Sequence, residues 1–163
     1  MFAPVSESPF AVLTLIAAPA VFTNASSVLA LGTGNRLARV VDRTRQLAKD
    51  LHAEPPTDDA SSEMWSRHLG RLEKRAALLV RAMSFFYGAI GAFATASAVS
   101  ILGASLSGSG YTLPFALIGG ISFLVGMIGF VGLSVGCTFL VTETRLALMT
   151  QLEEARLARR WLK

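Results

Sequence analysis

The chain has 163 residues, 52% of them hydrophobic and 16% charged, with 15 Lys and Arg against 11 Asp and Glu for a net charge of +4. Soluble domains run about 45–50% apolar and about 25% charged, so this composition argues against an ordinary water-soluble globule. The basic balance (pI near 9.8) would suit nucleic acid, but here the basic residues border apolar runs. Topology setting and attraction to anionic headgroups explain them more simply, and no nucleic-acid partner is expected.

The N-terminus comes first. Met1–Phe10 has no Lys or Arg, and Glu7 is its only charged side chain. Ala18-Pro19-Ala20 looks like the small-residue end of a signal peptide, but the basic opening of such a peptide is missing. The apolar stretch also continues to Leu31. It reads as an uncleaved first span over 10–31, since Ser8–Asn35 holds no charge at all and runs of 18 or more apolar residues suit a bilayer.

Gly32-Thr33-Gly34-Asn35 then reads as a break where the chain leaves the membrane. A helix is expected from Arg36 to Ala53, because Leu37, Val40, Thr44, Leu47 and Leu51 recur at three and four. Pro55-Pro56 ends it, Thr57–Ala60 forms a polar turn, and Ser61 or Ser62 is expected to cap the next helix. Trp65, Leu69, Leu72, Ala76, Leu79 and Met83 carry the same spacing into a second span over 82–106. Residues 36–81 thus form a helical hairpin.

Ser107-Gly108-Ser109-Gly110 is a short turn, with Tyr111 as an interface anchor. Pro114 opens a third span over 113–141, which passes without a breaker into a helix over 142–163. There Leu148, Leu152, Ala155 and Leu162 share a face. The fold class is therefore all-α: a polytopic membrane protein with three transmembrane helices, two of them extended into a cytoplasmic helical bundle, forming one structural unit. No segment reads as a strand.

All 15 Lys and Arg fall within Arg36–Arg81 (ten) and Arg145–Lys163 (five). Basic residues gather on the cytoplasmic side of spans. The N-terminus is thus expected outside and the C-terminus inside.

Small residues suggest helix packing. Gly126, Gly129, Gly132 and Gly136 repeat at three, three and four along span three, and Gly88 and Gly91 offer a matching face on span two. Such faces let backbones approach closely in lipid. They serve either an oligomer interface or packing within one subunit. In span one, Pro19 leaves the carbonyl of Leu15 without its helical donor, and Thr23, Asn24 and Ser27 follow. These groups either line a hydrated path or hydrogen-bond to neighbouring helices.

Enzymatic patterns fail in turn. Gly32-Thr33-Gly34 is followed by Leu37 where a dinucleotide fingerprint needs glycine. Gly103–Gly110 lacks the lysine of a phosphate loop. His52 and His68 show no zinc spacing. Cys137, the single cysteine, lies in an apolar run that disfavours a thiolate. No catalytic residue, metal or cofactor is expected. No Asp, Glu, Lys, Arg or His lies within the spans, which leaves proton coupling and voltage sensing without a candidate. Arg36, Arg39 and Arg43 form a basic stripe at the membrane face, suited to lipid, to an acidic partner or to solvent.

The run Leu15-Ile16-Ala17-Ala18-Pro19-Ala20-Val21-Phe22-Thr23-Asn24-Ala25-Ser26-Ser27-Val28-Leu29-Ala30-Leu31, with Gly34-Asn35-Arg36-Leu37 and Val41-Asp42-Arg43, resembles the domain-of-unknown-function family 2721. The resemblance extends over most of the chain and implies a bacterial inner-membrane setting. It carries no activity or catalytic residue with it. Two functions remain open: a homo-oligomeric channel or pore for ions or small solutes, or a scaffold or regulatory subunit docking an unknown protein partner through its cytoplasmic bundle.

Overall fold

The three-and-four spacing of apolar residues resolves, in the computed structural model, into three long helices: α1 (Pro9–Ala53), α2 (Asp59–Leu106) and α3 (Thr112–Trp161). The structure describes the backbone of residues 9–53, 55, 58–106 and 112–161, and the side chains of 17–53, 55, 58–59, 61–103 and 117–152. No strand occurs among the described residues. The expected turn at Ser107–Gly110, the anchor Tyr111, and the Ala155 and Leu162 side chains lie outside them.

The chain divides into two compact units, one of Met1–Ala30 with Ser84–Val135 and one of Leu31–Met83 with Gly136–Lys163. In the first unit, the Phe22 ring of α1 stacks on Phe93 of α2 with centroids 5.3 Å apart and meets Phe130 of α3 edge-on at 6.1 Å. Aromatic pairs at these separations add to simple area burial. Phe86, Ala89, Phe93 and Ala96 bury one face of α2. Outward, the unit is apolar: Val21, Val28, Ile101, Leu117, Phe123 and Ile128 are all exposed.

In the second unit, Val40, Leu47, Leu72 and Leu79 form the core, with Leu37, Leu51, Trp65, Leu69 and Ala76 packed against it. These are the two stripes read from the sequence. The third stripe is rotated from its expected phase. Leu148 and Leu152 are exposed, whereas Glu143 is buried and Leu146, Ala147 and Thr150 are half-buried. The reason is electrostatic: Glu143 is held by arginines of the same unit, and that pairing sets which side of α3 turns inward.

Two local expectations are corrected. Gly32–Asn35 is no break, because α1 runs through it without interruption. A helical glycine costs only about 1 kcal/mol relative to alanine, and here Thr33 is fully buried while a Cβ added at Gly34 would lie 3.8 Å from the Met83 methyl group. The cap of α2 is Asp58 rather than a serine. The Ser62 amide donates to the Asp58 carbonyl at 3.1 Å, and the Ser61 hydroxyl donates to that carbonyl and to the Asp58 carboxylate. The end of α1 at Ala53 falls where the sequence placed it.

Segments within Ser61–Gly103 of α2 and Leu117–Leu152 of α3 are long and apolar enough to cross a membrane. Only 28% of the apolar window in α2 and 11% of that in α3 is buried. The core helix of a soluble protein would bury most of such a window, so these proportions fit helices facing lipid. The first expected span, 10–31, begins in residues whose side chains lie outside the described set.

Candidate functional site

Two features of the structure carry polar chemistry, one in each unit. The first is the polar stretch of α1 beyond Pro19, which the helix accommodates without breaking. The Thr23 hydroxyl donates to the Pro19 carbonyl at 2.9 Å, Ser26 to Phe22 at 2.8 Å and Ser27 to Thr23 at 2.9 Å. Each hydroxyl is thus turned back onto its own helix one turn earlier, which satisfies its proton without a neighbour. Asn24 stands differently. Its side chain is exposed on the outside of the chain, and an amide has two donors and an acceptor to satisfy.

The glycines sort by helix face. Gly126 lies against Ala96, Gly129 against Phe93 and Ala92, and Gly132 against the Phe85 carbonyl and Ala89. A Cβ added at Gly129 would sit 3.0 Å from the Phe93 ring. Gly136 is buried in the second unit. Gly88 and Gly91 are exposed, and a Cβ at either would meet nothing within 4 Å. The α2 face meeting the glycines of α3 is therefore Phe85, Ala89, Ala92, Phe93 and Ala96, not Gly88 and Gly91. Sequence spacing missed the closest approach: a Cβ at Gly103 would lie 2.8 Å from Cγ2 of Ile118. It also missed the bond across α2 and α3. Ser122 donates to the Ala96 carbonyl at 2.8 Å, which leaves Ser100 to donate to Ser122 at 2.7 Å.

The second feature is a charged cleft in the second unit. Glu143 of α3 is 2% exposed, and its Oε1 accepts from Arg75 Nε at 2.9 Å and Nη2 at 2.8 Å. Its Oε2 lies 3.6 Å from Arg36 Nη1, which also donates to Thr144 Oγ1 at 2.9 Å. Thr144 in turn donates to the Leu140 carbonyl. A buried carboxylate is stable only with such partners. Beside this clamp opens a cleft of about 370 Å³ lined by Arg36, Arg39, Arg43, Arg75, Glu143 and Gln151 among others. A second, of about 200 Å³, shares Arg43, Arg75 and Gln151 and adds His68 and Arg71.

Glu143 is the residue that sequence reading missed. It lies two positions beyond the uncharged run ending at Val141 and looks like any solvated acid. The stripe of Arg36, Arg39 and Arg43 was visible, but not that Arg36 turns toward Glu143. Among the described residues, no three His, Cys, Asp or Glu side chains come together to hold a metal ion. A family model described as "Protein of unknown function (DUF2721)" matches residues 16–152. No curated protein and no solved structure matches the chain.

Proposed function

Because the chain belongs to the DUF2721 family, whose description assigns no activity, we propose from its own residues that it is a three-span inner-membrane protein assembling into a homo-oligomer. Span one of each copy then faces the symmetry axis and lines a pore for ions or small solutes. The reading is non-enzymatic and needs no cofactor.

The exposed Asn24 side chain carries it. Within an uncharged span, an amide left facing hydrocarbon costs several kcal/mol, so it is covered by water in a pore or by the same residue of a neighbouring copy. The self-bonded hydroxyls of Thr23 and Ser27 tolerate either setting. A neutral lining of this kind would select by size and dipole field rather than by fixed charge.

Asn24→Leu decides between the uses of that face. In a pore it reduces solute or ion flux through reconstituted protein while the oligomer persists by native mass spectrometry. Loss of the oligomer, with no conductance in the parent protein, would leave the scaffold reading instead. The charged cleft of the second unit gives that second reading its own support, as a surface on which a partner of complementary charge would dock.

A further inference from the structure

Among the described residues, the larger of the two adjoining clefts of the second unit is lined by more arginines than carboxylates. Arg36, Arg39, Arg43 and Arg75 line the larger, and Arg71 joins Arg43 and Arg75 in the smaller. Among the described residues lining them, Glu143 is the single carboxylate. Among the described lining residues of the larger cleft, four guanidinium groups thus accompany one carboxylate. We propose that the joined clefts are a binding site for a phosphate-bearing anion.

Three observations point to phosphate. Every fixed cation among the described lining residues is arginine and none is lysine. The planar fork of arginine matches two oxygens of a phosphate at once, whereas lysine acts as a point charge. Next, the site is built rather than incidental. Glu143 is buried and locks Arg75 through two hydrogen bonds, and Arg36 is pinned between Glu143 and Thr144. A carboxylate that orients guanidinium groups reduces the ordering cost of ligand capture. Last, Arg39 and Arg43 stand at i+3 and i+7 from Arg36 along α1. This periodicity aims them to the same side of the helix, and Gln151 adds an amide from α3. The larger cleft, at about 370 Å³, falls in the range of about 300–1,000 Å³ usual for small-molecule sites.

Two sources supply this chemistry: the headgroup of an anionic phospholipid, or a soluble phosphate compound. The inference does not depend on whether the assembly conducts. The test uses the purified full chain in a neutral mild detergent, with two probes. Inorganic pyrophosphate is titrated calorimetrically, and retention of phosphatidylglycerol against phosphatidylcholine is read by native mass spectrometry. Arg43→Gln, whose side chain is exposed and lines both clefts, is expected to weaken binding about tenfold or more, as loss of a charge-assisted hydrogen bond does. Arg67→Gln, outside the clefts and paired with Glu63, is expected to leave it unchanged. Binding should also fall with added salt.

Pyrophosphate binding lost in Arg43→Gln assigns a soluble ligand. Selective retention of phosphatidylglycerol, lost in the same variant and without pyrophosphate binding, assigns the headgroup. If neither probe binds the parent protein, or if binding survives in the Arg39→Gln, Arg43→Gln double variant, the proposal is overturned. Should the double variant fail to fold, the single Arg43→Gln substitution decides on the same readouts.

Discussion

Glu143 shows how far a single side chain departs from its sequence neighbourhood. Two arginine nitrogens converge on one of its oxygens in a setting that is 2% exposed, while Arg75 remains 25% exposed. Removing one member of a buried pair strands the other, at about 3–5 kcal/mol for full burial. With Arg75 partly wetted, Glu143→Leu is expected to destabilise by about 2–3 kcal/mol. The Arg67–Glu63 pair is shorter, at 2.6 Å, yet its members are 68% and 65% exposed. Water screens it, so Arg67→Ala is expected to change stability by less than about 0.5 kcal/mol. Denaturant titration of the two variants, followed by far-UV circular dichroism, checks both; equal losses would mean that distance rather than burial governs these pairs.

At the scale of elements, the helices approach one another through small residues, and the side on which each glycine lies decides its role. At Gly129 an added methyl group would crowd Phe93 and Ala92 at 3.0 and 3.2 Å. Gly129→Ala is therefore expected to destabilise the fold by about 1–2 kcal/mol through overpacking. Gly91 has open space where its methyl group would go, so Gly91→Ala removes only backbone freedom and should be neutral or stabilising by up to about 1 kcal/mol. Unfolding midpoints in detergent distinguish the pair. Gly91→Leu then probes the proposed oligomer: it should lower the oligomer fraction in native mass spectra without shifting the unfolding midpoint. A substitution at Gly132 would confuse these effects, since a Cβ added there would lie 3.6 Å from the Phe85 carbonyl within the same chain.

For the molecule as a whole, exposure and charge are complementary. Apolar side chains cover the outside of the first unit, while every described Lys and Arg belongs to the second. We propose from the positive-inside rule that this division sets the topology, with the N-terminus outside and the C-terminus in the cytoplasm. Reporter fusions at Gly108 and Lys163 are expected to signal from the outer and inner sides respectively. An outer signal from Lys163 would reverse the orientation, and would place the arginine clefts where cytoplasmic phosphate compounds never reach.

Much of this architecture was legible in the residues alone, because periodicity and charge are local properties. Leu37, Val40, Leu47 and Leu51 at three-and-four spacing mark a helix face whatever it packs against, and a stretch of 60 residues without charge from Ala82 to Val141 marks apolar helix. The same holds for the helix end before Pro55. What only the tertiary structure decided are matters of rotation and distance between segments far apart in sequence. Gly32–Asn35 has the composition of a hinge, but burial of Thr33 keeps it helical. Leu148 and Leu152 have the spacing of a core face, but the pairing of Glu143 with Arg75, 68 positions away, turns them outward. A periodic pattern states that a helix has a preferred side; a buried charge, which is unstable without its partner, settles which side turns inward.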